Sequence, residues 1–151
     1  MFRLANIAKQ NHGFTLMEVL LVVAIISILT MVSAPVVLTL QRTNELDVAA
    51  NTLAQYLYQA QGYSREEAHD CSWGVTIHAQ DLTLFCGNSY VTRNPNFDNS
   101  YEIPANVKVG QNQEIIYDKL TGHPQTTGSY ELSVSSQTST VSVNSKGMVD
   151  Y

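Results

Sequence analysis

The sequence predicts an α+β protein: a long N-terminal helix, membrane-spanning in its first half, packed on a C-terminal antiparallel β-sheet domain. Three observations predict it. No charged side chain occurs from Val19 to Gln41. Apolar residues then recur at helical spacing as far as Ala60. Beyond Cys71 apolar and polar residues alternate, which is the period of a half-buried strand. The implied division is a leader at 1–13, a transmembrane helix at 14–40, an amphipathic helix at 41–70 and a β-rich globular domain at 71–151.

The apolar run comes first. A hydrocarbon core of ~30 Å needs ~20 helical residues, so Val19 to Gln41 is long enough to span it. Arg3 and Lys9 precede the run, and the next cation after it is Arg42. The two leader cations favour a cytoplasmic N-terminus and export of everything after Gln41. A cleaved secretory signal is the competing reading. The run exceeds the ~7–15 apolar residues usual for such a signal, and Val32-Ser33-Ala34 makes a poor cleavage site, so a retained helix is preferred. Glu18 stands out, because a carboxylate at membrane depth is costly and calls for a partner.

The stretch Gly13-Phe14-Thr15-Leu16-Met17-Glu18 resembles the prepilin processing motif of type IV pilins and type II secretion pseudopilins. A short basic leader, a Gly, a Phe, a Glu fifth after the Gly and a long apolar helix all agree with that family, and Met17 stands where Ile or Leu is usual. The resemblance implies a pilin-like fold, cleavage by a prepilin peptidase between Gly13 and Phe14, and methylation of the new Phe14 amine. It also implies that residues 14–40 become a filament core. Phe14 and Glu18 are four residues apart and share a helix face, and a carboxylate suits the positive end of the helix dipole. Glu18 can therefore offset its own amine, or meet that of a neighbouring subunit and so set register during assembly.

Leu46, Ala49, Ala50, Leu53, Leu57 and Ala60 mark the buried stripe of the second half of the helix, with Gln41, Asn44, Glu45, Asp47, Asn51, Gln55 and Gln59 mostly on other faces. The helix is expected to reach about Ala68. Pro35 removes a hydrogen bond to the Met31 carbonyl and is expected to kink or loosen the helix there.

Trp73 to Ile77 and Leu82 to Cys86 read as a hairpin joined at His78–Asp81. Gly87 to Ser100 is polar and Asn-rich, and reads as a surface loop. Further strands are expected at Lys108-Val109, Glu114 to Tyr117, Ser129 to Ser135 and Ser139 to Asn144, followed by a turn at Ser145-Lys146-Gly147. The stretch from Ile115 to Tyr151 is similar to the C-terminal part of the pseudopilin H class, also called the GspH/FimT type. That class often carries an Ala-Arg pair late in the helix, where this chain has Ala60-Gln61.

Removal of 13 residues from 151 leaves 138, and loss of Arg3 and Lys9 takes the formal charge from −5 to −7. That balance gives no overall basic surface for nucleic acid. Arg65, Arg93, Lys108, Lys119 and Lys146 are dispersed in sequence, which disfavours a DNA-binding role. Cys71 and Cys86 both lie on the side that would be exported. A bridge in an oxidising compartment is the preferred reading, with two buried free thiols as the alternative, since spacing alone does not fix geometry.

No catalytic motif is present: there is no G-x-S-x-G, H-E-x-x-H or phosphate-binding Gly-rich loop. Asn94, Asn96 and Asp98 alternate like oxygen ligands but lack the Gly and Glu of a calcium loop. The chain is therefore expected not to be an enzyme and to need no cofactor or metal. The resemblance implies other pilin or pseudopilin subunits, prepilin peptidase, an inner-membrane assembly platform and membrane lipid as partners. The implied location is the bacterial inner membrane, single-pass, with a periplasmic C-terminal domain. The function it implies is that of a minor pseudopilin or pilin in a type II secretion pseudopilus or related pilus. The alternatives are a DNA-uptake or pilus-biogenesis minor pilin, and a membrane-tethered binding module.

Overall fold

The computed structural model describes residues 13–111 and 113–151; the side chains of residues 32–36 lie outside the description. The leader at 1–12 is therefore outside it, and so is the side chain of Pro35, on which the expected kink depends. One helix, α1, runs Leu16–Arg65 over 50 residues. It belongs to two compact units that divide at Leu38 and Thr39. In the first unit the described apolar side chains are open to the surroundings, with Phe14, Leu16 and Met17 83%, 78% and 77% exposed. Among the described residues no helical stretch is long and apolar enough to cross a membrane.

In the second unit α1 turns one stripe inward. Leu46, Ala49, Ala50, Leu53, Leu57 and Ala60 are all buried. Each fully buried Leu contributes on the order of 1.5–3 kcal/mol of transfer free energy. The alanines of the stripe, Ala49, Ala50 and Ala60, let the helix backbone come close to the sheets. The helix ends at Arg65, before the expected Ala68, because Ser64 takes over the pairing of its last turn. The Ser64 carbonyl accepts from Leu120 N–H at 2.9 Å. Its Oγ donates to the Tyr117 carbonyl at 3.1 Å and accepts from Trp73 N–H at 2.9 Å. A short 3-10 turn, Ala68–Asp70, follows.

Eight strands form two antiparallel sheets. They are β1 (Trp73–His78), β2 (Asp81–Cys86), β3 (Asn99–Glu102), β4 (Lys108–Val109), β5 (Glu114–Tyr117), β6 (Gly128–Val134), β7 (Gln137–Val143) and β8 (Val149–Asp150). The first sheet has the order β3-β2-β1-β5 and the second β4-β6-β7-β8. Trp73 pairs with Cys86 and His78 with Asp81 across the first hairpin; Val134 pairs with Gln137 across the β6–β7 hairpin. The sheets are joined at Tyr130 of β6, whose hydroxyl lies 3.0 Å from both the Val75 and Gln113 carbonyls and donates to one or the other.

The polar segment after Cys86 differs from the plain loop expected. Its end, Asn99–Glu102, is a strand recruited by β2, with Leu82 opposite Tyr101. The rest packs over the outer face of the first sheet. Arg93 Nε donates to Asp98 Oδ2 at 2.7 Å, and the guanidinium sits 3.7 Å over the Tyr90 ring. Beneath lies Phe85, which is fully buried. Gly74 makes room for it: a Cβ there would come within 2.7 Å of the Phe85 ring.

Candidate processing and assembly site

Gly13 and Phe14 are exposed and lie just before the helix. The first turn is closed by Thr15, whose Oγ1 accepts from Glu18 N–H at 3.2 Å while its carbonyl accepts the same N–H at 3.1 Å. Thr15 is thus the N-cap and Glu18 the third helical residue, the spacing of a capping box. Thr-x-x-Glu ahead of an apolar run is readable in sequence.

This cap has a chemical consequence. It starts the helix two residues after Phe14, so a chain cut at Gly13 would carry its new amine at the mouth of the first turn. Glu18 stands in that turn, where acidic groups are favoured by the dipole. Phe14, Glu18, Val19, Val22 and Val23 together line an open concavity of about 270 Å³. Among the described residues no cation lies at ion-pair distance from the Glu18 carboxylate.

Cys71 and Cys86 are disulfide-bonded, with Cα atoms 5.9 Å apart. The bond ties the segment after α1 to the end of β2. That segment is strained: Glu67, His69 and Asp70 have φ of 52°, 60° and 60°, a region that non-glycine residues adopt at a cost. Several contacts hold it. Lys119 donates to Asp70 and lies 3.3 Å from Glu67. Hydrogen bonding to Lys119 keeps the Asp70 carboxyl below its ordinary range, and the same bond, with that to Glu67, raises Lys119. His69 stacks on Phe97 at 4.1 Å, and Trp73 Nε1 donates to the Ala68 carbonyl at 2.9 Å.

The residues weighed for other chemistry have internal roles. Asn94 accepts from Asn96 N–H at 3.2 Å as a cap for the 3-10 turn Pro95–Phe97, and Asp98 pairs with Arg93. Among the described residues no group of His, Cys, Asp and Glu is placed to hold a metal ion. Gln61, in the place where the Ala-Arg pair was sought, is buried and donates to the Gly122 carbonyl at 3.0 Å. A Cβ on Gly147, at φ 80°, would come within 2.2 Å of the Gln61 amide, so this turn stays a glycine.

Residues 8–34 match the protein-family model of the prokaryotic N-terminal methylation motif. The fold is similar to a solved structure, that of the minor pseudopilin EpsH from the Type 2 Secretion System of Vibrio cholerae, with a TM-score of 0.52 at 14% identity. The likeness covers 70% of this chain and 94% of that one. The fold is pseudopilin-like. No curated protein sequence matches the chain. Its α+β architecture is that of the solved pseudopilin. The methylation motif ends at residue 34 and the second unit begins at Thr39, so motif and globular unit occupy successive parts of one chain.

Proposed function

We propose that this chain is a minor pseudopilin, a non-catalytic subunit that is stored in the inner membrane and assembled into a secretion pseudopilus. The observation that carries the reading is the placement of the methylation motif: its Gly13-Phe14 junction is exposed, and Glu18 stands one turn inside a capped helix. A simple membrane tether needs neither feature.

In this reading prepilin peptidase cuts after Gly13 and methylates Phe14. Residues 14–40 hold the subunit in the membrane until extraction, then form filament core, with the assembly platform and other pilin-like subunits as partners. Pro35 loosens the helix near the end of that segment. Glu18 meets the Phe14 amine of a neighbouring subunit, and a misplaced subunit buries a charge unpaired at a cost of several kcal/mol. The Cys71–Cys86 bond forms after export.

Two measurements test this. Intact-mass analysis of the membrane-extracted protein is expected to show loss of residues 1–13 and a methylated Phe14; an unprocessed N-terminus would sink the assignment. Glu18→Gln is expected to insert normally, since it makes the helix easier to hold in lipid, and to be depleted from sheared or cross-linked filaments. Equal incorporation at equal expression would remove Glu18 from assembly.

A further inference from the structure

The second unit has a cleft of about 250 Å³ lined by Thr39, Arg42, Val134, Ser135, Ser136 and Gln137. One wall is the first turn of α1 in that unit; the other is the tip of the β6–β7 hairpin. Thr43 Oγ1 lies 2.9 Å from Gln137 Oε1 and 3.1 Å from the Thr39 carbonyl, donates to one or the other, and in the first case ties the tip to the helix.

Arg42 is the cation of this cleft, and the local carboxylate is already engaged. Glu45, one turn on, accepts from Gln41 Nε2 at 3.0 Å through one oxygen and from Asn106 through the other. Among the described residues no carboxylate pairs with the Arg42 guanidinium. Ser135 and Ser136 bring two hydroxyls to the opposite wall. Ser135 holds φ at 55° in the first position of a two-residue hairpin loop, where glycine is the easier residue. A guanidinium facing hydroxyls is the donor set of a phosphate site.

Sequence continuity says which phosphate. The charge-free stretch ends at Gln41, and at 1.5 Å per residue its length comes to roughly 35 Å, just beyond a core of ~30 Å. Arg42 is therefore the first side chain able to reach the outer headgroup layer, where long cationic side chains settle. The geometry points to a binding site for the phosphodiester of an outer-leaflet phospholipid, formed by Arg42 with Ser135 and Ser136. It rests on the membrane-stored reading given above. It adds a latch: the headgroup seats the β6–β7 hairpin on the bilayer, and extraction into a filament must release it.

The test uses the full processed chain and hydrogen exchange at the hairpin-tip amides. It compares phospholipid nanodiscs, maltoside micelles, and maltoside micelles with inorganic phosphate. Exchange in nanodiscs is expected to be about tenfold slower than in either micelle, the worth of roughly one charge-assisted hydrogen bond. Arg42→Gln, at an exposed position, is expected to lose that protection without changing exchange elsewhere. Ser135→Gly, which keeps the turn, is expected to weaken it. Equal exchange in nanodiscs and micelles overturns the site. Protection that survives Arg42→Gln also overturns it, since the bilayer would then merely shield the tip. Full protection by inorganic phosphate in micelles overturns the lipid assignment. Flotation with phospholipid vesicles separates the two readings: a chain that floats but shows no protection refutes the site alone, whereas one that does not float refutes the membrane reading as well.

Discussion

Single residues set the tolerance of the globular unit. Gly74 is packed between the Phe85 ring and Ile116, and an added methyl would lie 2.7 and 2.9 Å from them. Gly74→Ala is expected to cost about 1–3 kcal/mol in denaturant unfolding of the full chain. Tyr117 and Tyr130 are fully buried, and burial raises both hydroxyls above the ordinary tyrosine value of 10.0. Both groups are neutral when folded and ionise more readily when unfolded. Their burial therefore contributes fully below the unfolded value, and that contribution is lost as pH rises through it toward the raised folded values. Denaturant midpoints are expected to fall above about pH 10, with tyrosinate absorbance from these two residues appearing only with unfolding. Tyr130→Phe is expected to lower stability by about 1 kcal/mol at neutral pH, because an acceptor carbonyl loses its donor. At this scale the sequence was legible where chemistry and period coincide. All six residues of the Leu46–Ala60 stripe are buried. Gly74 was not legible, since its reason is a ring on a neighbouring strand.

Among elements, the segment from Glu67 to Cys71 shows how long-range contacts override local preference. Its left-handed residues are Glu, His and Asp, so no glycine marked the turn in sequence. The turn exists because the helix is closed at Ser64, Lys119 bonds Asp70, and Cys71 is tied to Cys86. The bridge closes a loop of sequence separation 15. Its removal by Cys71→Ser with Cys86→Ser is expected to cost about 3 kcal/mol by the loop-entropy argument. Non-reducing peptide mapping of exported protein is expected to recover the linked peptides, and two free thiols would reject the bond. Strand β3 was illegible for a related reason. Asn99-Ser100-Tyr101-Glu102 offers one large apolar residue and no alternation, and it is a strand because β2 offers an open edge. The hairpins β1–β2 and β6–β7 were legible because their apolar residues alternate onto the core face.

For the whole molecule, the two units make different demands on the sequence. Among the described residues, the second, Thr39–Tyr151, contains the whole buried core, and those of the first are the processing junction and exposed apolar helix. Leader removal is therefore expected to leave the second unit unchanged. Processed and unprocessed chains in the same detergent are expected to share one thermal midpoint for loss of near-ultraviolet circular dichroism. A shift would mean that residues 1–13 pack on the globular unit.

The helix within the second unit is also fastened in a particular order. Near Thr39 it is held by polar links, Thr43 to Gln137 and Glu45 to Asn106. Its middle is held by interlocking apolar side chains, and its far end by Gln61 and Ser64 bonded to loop and sheet. Tension applied along the chain from residue 38 would reach the few polar links first. The load would then spread over several turns of interdigitated side chains that must slide together before the final bonds feel it. Such an attachment yields a little under a small pull and resists strongly under a large one. Under the function proposed above, that mechanical response suits a part hauled by one end into a growing fibre.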